Sequence, residues 1–365
     1  MTGNKGIEKL IRSSLVTFGG YSPGKSPETL EGQVEVPVEG IIKLDANENP
    51  YGCSPRVQPA LANYPGFNIY PDAGQTELRK SLEKYTGVGA EYIVAGDGSD
   101  QLIDLIVRLF VGPGDEVINC PPSFEMFSFS TELCGGSLVE VPRDENFAVN
   151  IKAVKAATGE KTKVIFLASP SNPTGTITPR SDILELLDTG RPVVVDEAYY
   201  EFSGETVVPL ASKYKNLMVL RTFSKWAGLA GLRVGYGIFP PEIASYLLRI
   251  KPPYNVNVSA LVAVRESLKD IDYLMRRVKA IVAERERLFG ELEKLGFLKP
   301  VPSRANFILC SVLNGRASEL QQKLEKKGIL VRGFDKPMLR NFIRISVGKP
   351  EHTDAVIKAL REIGG

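Results

Sequence analysis

Two short apolar runs constrain this chain more than any other feature of its 365 residues. Residues 163–168 read KVIFLA and residues 192–196 read PVVVD, and each run meets polar residues at its carboxyl end. Continuous rather than alternating apolar character marks strands covered on both faces, the arrangement of a mostly parallel sheet flanked by helices. From residue 41 onward strand and helix patterns alternate, so the expected class is α/β. Ligands of such sheets gather at the carboxyl ends of the strands.

At this length the chain suggests two domains. Residues 1–40 read as an arm, with a short helix over 7–13 followed by a loop rich in Gly, Pro and Glu. Residues 41–255 form the expected large domain, and 256–365 a smaller α+β domain. The latter opens with a long helical stretch over 259–295 and continues with a run at 306–310. A helix over 318–327, strands at 329–331 and 342–345, and a terminal helix complete it. No internal repeat and no low-complexity segment appears.

Composition narrows the function classes. With 45 basic against 43 acidic residues the net charge is +2, so no global field draws the chain to nucleic acid or a membrane surface. No apolar run reaches membrane-spanning length, and the first six residues lack a signal core. Cys53, Cys120, Cys134 and Cys310 show no metal-ligand spacing, which fits a reduced, cytoplasmic protein without a metal site. The single histidine, His352, argues against a Ser/His hydrolase or a histidine-based zinc site. No G-x-G-x-x-G follows an early strand, so a dinucleotide enzyme is disfavoured.

What remains is a set of residues suited to pyridoxal phosphate. Lys225 follows Thr222, Phe223 and Ser224, with Arg233 just beyond and Asp196 closing a strand before them. The cofactor's aldehyde is stored covalently on a lysine made nucleophilic by burial and neighbouring positive charge. Its ring nitrogen needs a facing carboxylate to stay protonated. Its phosphate suits hydroxyls and the planar fork of arginine. An isolated aspartate at a strand end is by default a turn cap; Asp196 gains its meaning from Tyr199 and Lys225 nearby.

Four further segments belong to the same set. Asn172 lies in SPSNPTG (169–175), first of all a turn, but one that fixes an amide donor for the ring's phenolic oxygen. Gly98, Ser99 and Asp100 open a helical pattern whose backbone N–H groups favour an anion. Phe124, at a strand-to-helix turn, is the better stacking partner for a flat ring, whereas Phe127 reads as core. Asn49 in LDANENPYG (44–52), Tyr70 and Arg344 are the remaining polar features placed at the site. For a buried Arg344 the anionic partner is either a substrate acid group or an internal carboxylate.

Together these segments resemble the pyridoxal-phosphate aminotransferases of fold type I, and within them the histidinol-phosphate aminotransferases. The likeness runs from about residue 44 to 351 and includes GDGSDQLIDL, CPPSFEMF, VVVDEAYYEF, RTFSKWAGLAGLRVGYG and IRISVGKPEHTDA. It implies a large domain with a seven-stranded, mostly parallel sheet. Lys225 is then the covalent anchor, Asp196 the ring-nitrogen partner, and Asn172 and Tyr199 the contacts to the phenolic oxygen. Thr222, Ser224, Arg233 and the backbone of 98–100 form the phosphate cup, with Tyr70 reaching the neighbour's cofactor in a homodimer. Tyr21, Arg332 and Arg344 match positions that hold substrate, L-glutamate or 2-oxoglutarate in one half-reaction and histidinol phosphate in the other. Departures are Phe124 for a frequent tyrosine, Ser171 for asparagine and Gln101 for an acidic residue. An aromatic aminotransferase, a threonine-phosphate decarboxylase and a non-catalytic cofactor-binding module remain as alternatives.

Overall fold

The computed structural model describes residues 5–16, 18–21 and 23–364. Twelve strands are found among them, in chain order β1 (Ile42–Leu44), β2 (Ile93–Gly96), β3 (Glu116–Asn119), β4 (Ser137–Glu140), β5 (Thr162–Ala168) and β6 (Val193–Asp196). They continue with β7 (Leu217–Thr222), β8 (Gly235–Ile238), β9 (Leu298–Pro300), β10 (Phe307–Val312), β11 (Ile329–Gly333) and β12 (Phe342–Ser346). Seven build one sheet in the order β2-β8-β7-β6-β5-β3-β4. All neighbours in it are parallel except those of β8, which runs against both β7 and β2. The two apolar runs are β5 and β6, and β6 is buried at every residue.

Register aligns the sheet's functional edge. Ala168 lies opposite Asp196, and Thr222 opposite Gly235, which in turn faces Gly96. The helix Gly98–Phe110 leaves this edge with its first residues against β8. A Cβ at Gly235 would come within 2.5 Å of Ser99 N, so only glycine lets the helix start sit this close.

The remaining five strands form a second sheet, β1-β11-β12-β10-β9. β1 pairs in parallel with β11, Ile42 opposite Ile329 and Leu44 opposite Val331, so the segment just past residue 41 belongs to a sheet otherwise built from residues beyond 297. The 7–13 helix is replaced by two four-residue helices, Lys5–Glu8 and Ser13–Val16. The long helical stretch is likewise two helices, Val258–Leu268 and Ile271–Glu293. Asp270 breaks them, its carboxylate accepting a hydrogen bond from Ser54 Oγ at 2.5 Å. Among the described residues no helix is long and apolar enough to cross a membrane.

Candidate active site

A cavity of about 680 Å³ opens where the carboxyl ends of β5, β6 and β7 meet the second sheet. Lys225, Asp196, Asn172, Tyr199, Thr222, Ser224, Ser99, Asp100, Arg233, Phe124, Tyr21, Arg332 and Arg344 all line it. Residues from positions 21 to 344 are thus brought to one place, as the sequence anticipates. Two expected members, Gly98 and Asn49, are not in the lining, and Tyr70, expected to reach a neighbour's cofactor, lies outside it as well. Gly98 sits beneath the wall, Tyr70 is 77% exposed and stacks on Tyr254 at 4.4 Å, and Asn49 is turned away.

The Asn49 placement is corrected by its bonds. Its Nδ2 donates to Trp226 O and its Oδ1 accepts from Tyr51 N–H, so both ends of the amide serve the chain fold. Asn47 faces the cavity instead. It adopts φ 55°, a left-handed conformation that asparagine tolerates better than most residues, and its Nδ2 donates to Tyr199 Oη at 2.9 Å. Ser346 and Asn306 hold Asn47 from the second sheet. The asparagine-rich LDANENP string marked the region; which asparagine points inward depends on contacts some 300 residues away.

Lys225 Nζ donates to Ala46 O at 2.8 Å. Enclosure of the amine, reinforced by the positive charge of Arg344, holds its pKa down at about 8, against 10.5 for a free lysine. Asp196 shows the opposite shift. Burial pushes its carboxyl up to about 7, although the Ala198 N–H bond at 3.0 Å pulls the other way. A buried carboxylate with one hydrogen bond among the described residues is poised to accept a further N–H donor.

At the other end of the cavity floor, Arg233 has φ 51° and pairs with Asp100 at 2.8 Å. A Cβ at Gly98 would come within 2.5 Å of Arg233 Nη2, so glycine is what admits the guanidinium to the helix start. The free N–H groups of that start, the Thr222 and Ser224 hydroxyls and this arginine make a cradle for a phosphate. Phe124 lines the cavity, while Phe127 is fully buried and stacks on Phe166 at 4.6 Å, a core role as expected.

Arg344 is buried, yet among the described residues no carboxylate forms an ion pair with it. Its Nη1 donates to Asn172 Oδ1 at 2.5 Å and its Nη2 to Asp45 O at 2.6 Å, and its Nε has no partner. Burial lowers its pKa. Arg332 lies directly opposite it across β11 and β12 and also lines the cavity. Asp45 is a nearby acid whose charge acts on Arg344 without an ion pair, and two guanidinium groups share one wall. Using Asn172 Oδ1 for Arg344 also orients the amide so that its N–H groups remain for another acceptor.

The family described as aminotransferase class I and II matches residues 39–361. The histidinol-phosphate aminotransferase of Dehalococcoides mccartyi strain CBDB1 is 57% identical over 358 residues, 98% of this chain and 99% of that protein. The chloroplastic histidinol-phosphate aminotransferase 1 of Arabidopsis thaliana is 46% identical, over 97% of this chain and 86% of its own length. Among solved structures, histidinol-phosphate aminotransferase from Sinorhizobium meliloti in complex with pyridoxal-5'-phosphate has a TM-score of 0.85 at 28% identity, covering 96% of this chain and 100% of that one.

Proposed function

The chain belongs to the class I and II aminotransferase family, and we propose from that premise that it moves an amino group between L-histidinol phosphate and 2-oxoglutarate, giving imidazole-acetol phosphate and L-glutamate. The observation that carries the chemistry is the convergence of Lys225, Asp196, Asn172, Tyr199 and Arg344 on one cavity. The substrate assignment is supported by the 57% identity to a histidinol-phosphate aminotransferase over almost the full length.

The residues fit pyridoxal phosphate, because the cavity offers a carboxylate short of a donor, an anion cradle shaped by Gly98 and Gly235, and an amine of lowered pKa. When bound, the cofactor supplies an electron-accepting ring that stabilises charge at the substrate carbon. Asp196 would hold the ring N–H. Asn172 and Tyr199 would donate to its phenolic oxygen, Phe124 would cover a face, and the cradle of Ser99, Asp100, Thr222, Ser224 and Arg233 would take the phosphate. Lys225 would be the covalent anchor and, as a free amine, the base that carries a proton to and from the substrate carbon. Arg344 and Arg332, with Tyr21 at the rim, hold the substrate's acid group. A fork-shaped cation accepts a carboxylate or a phosphate by paired hydrogen bonds, which lets one wall serve both half-reactions.

Tyr70 cannot serve its own cavity from an exposed stack on Tyr254, so we assign it to the phosphate of a second copy in a symmetric homodimer. The large region 41–255 and the smaller region 256–365 act as two domains, with β1 crossing to the second. A cytoplasmic location is part of the same proposal.

A half-reaction screen tests the reading. The holoenzyme is mixed with L-histidinol phosphate, L-histidinol, L-phenylalanine or O-phospho-L-threonine, while absorbance and carbon dioxide are followed. Conversion of the cofactor to its amine form, fastest with L-histidinol phosphate and without carbon dioxide, is expected. Equal efficiency with L-histidinol overturns the substrate, and preference for phenylalanine moves the assignment to an aromatic aminotransferase.

A further inference from the structure

Beneath the site lies a buried polar cluster that the reaction does not touch. Glu197 follows Asp196 and is 1% exposed; Arg221 precedes Thr222 and is 4% exposed. Arg221 donates to Glu197 Oε2 through Nε at 3.0 Å and Nη2 at 2.9 Å. Thr206 Oγ1 donates to the same oxygen at 2.8 Å, and Val207 N–H to Oε1 at 2.7 Å. Neither Glu197 nor Arg221 lines the cavity.

The position of this pair in the sheet gives it a use. The ladder between β6 and β7 runs to Asp196 opposite Leu220 and closes with Glu197 N–H on Leu220 O at 2.8 Å. Beyond that bond the two chains part, one into Ala198 and Tyr199, the other into Phe223, Ser224 and Lys225. Arg221 and Thr222, adjacent in a strand, face opposite sides of the sheet, so the arginine works from behind while the threonine lines the cavity. Two bonds from one guanidinium to one carboxylate oxygen tie the chain ends at their point of divergence, with Thr206 and Val207 holding the carboxylate from its other sides.

We infer that Glu197 and Arg221 form a positioning pair, fixing the separation between Asp196 and Lys225 in the reactive arrangement. Asp196 needs such support, since among the described residues its side chain has a single hydrogen bond. Lys225 needs it as well, because among those residues its amine is anchored only to Ala46 O. A second tie acts on the same loop: the Tyr85 ring stacks on Trp226 at 5.5 Å, and its hydroxyl donates to Glu201 Oε1 at 3.0 Å. The chain directly after Lys225 is thereby bound to the helix that follows Glu197. The inference rests on the reading of Asp196 and Lys225 as the groups that hold and react with the cofactor.

A purely stabilising ion pair and a positioning pair differ in what survives its replacement. In the double variant Glu197→Leu/Arg221→Met both charges of the pair leave together, and Glu201, a buried carboxyl on which the Arg221 charge also acts, keeps the hydrogen bond from Tyr85. Four quantities are measured: the thermal midpoint, the Kd for pyridoxal phosphate, the donor concentration at half-saturation, and the limiting rate of the half-reaction with L-histidinol phosphate. The folded double variant should keep both affinities within about threefold while its limiting rate falls roughly 10- to 100-fold, the scale of a misplaced reacting group. Thr206→Val, which removes one support of the carboxylate, should lower the limiting rate about two- to fivefold with unchanged affinities.

A folded double variant with the wild-type limiting rate overturns the inference. If the double variant does not fold, Thr206→Val and Arg221→Lys decide, and wild-type limiting rates in both overturn it equally. A wild-type protein that shows no absorbance change with any amino donor instead refutes the reading of the site itself.

Discussion

The two walls of the cavity are built in contrasting ways. On the cofactor side, Asp196, Thr222 and the helix start at Gly98 all come from the edge of the seven-stranded sheet, where register places them side by side. On the substrate side, Tyr21 comes from the arm, Arg332 and Arg344 from the second sheet, and Phe334, Lys336 and Met338 from the strap joining β11 to β12. That strap is joined to the loop carrying Phe124 by an exposed ion pair, Lys336 to Glu125 at 3.3 Å. A sheet edge fixes bond-making geometry once for every substrate, whereas a wall of separate segments can change its preference piece by piece.

This contrast fails if changes on the two walls have like effects. The largest loss is expected for Lys225→Ala, which should retain cofactor through the phosphate cradle yet lose about 10³-fold or more in turnover, since anchor and base go together. Retained cofactor is read from phosphate-dependent binding, turnover from product formation. In the wild-type apoenzyme, reaction of Lys225 with the aldehyde should slow as pH falls below about 8, because the protonated amine is not nucleophilic. A midpoint near 10.5, the ordinary lysine value, would show the amine to be unperturbed. Asp196→Asn should cost about 10²- to 10³-fold in kcat, with a thermal midpoint near that of the wild type, because a neutral amide no longer keeps the ring nitrogen protonated.

Substrate-side changes should act differently. Arg344→Lys is expected to raise KM for both L-histidinol phosphate and 2-oxoglutarate about 10-fold, the worth of one charge-assisted hydrogen bond lost from a fork. An effect on kcat alone would place Arg344 with the cofactor. The smallest effect belongs to Lys336→Ala, where loss of a solvent-exposed ion pair should change KM less than about threefold. A larger change would make the strap a rigid part of the site.

How much of this was legible in the sequence follows the same division. β5, β6 and the helix from Gly98 were readable because a covered strand and a helix start leave local signatures, and Asp196 and Asn172 sit where the two strands end, whereas Lys225 was found from its company of Thr222, Ser224 and Arg233. The break at Asp270 was not, since apolar spacing runs on through it and the stop depends on a bond to Ser54. Asn47 was passed over for Asn49 for a similar reason: both are buried asparagines in one string, and only distant partners separate them. Glu197 and Arg221 looked like ordinary neighbours of Asp196 and Thr222. Their pairing is a property of the strand order, with β6 beside β7, and one chain segment does not display it.

The pairing of β1 with β11 has a consequence for how the protein is made. Residues 42–44 leave the ribosome well before their strand partners, 329–331, have been made. Ala46 O, which receives the Lys225 amine, and Asn47, which meets Ser346, lie just past that strand. A nascent chain can therefore complete its seven-stranded sheet, whose last strand ends at Ile238, while its amino-terminal segment still waits for a place. Until β11 has been synthesised, the lysine is present but the carbonyl that orients it is not yet held in place. Truncated products of interrupted synthesis would then carry every residue of the cofactor wall and still lack a finished reaction centre.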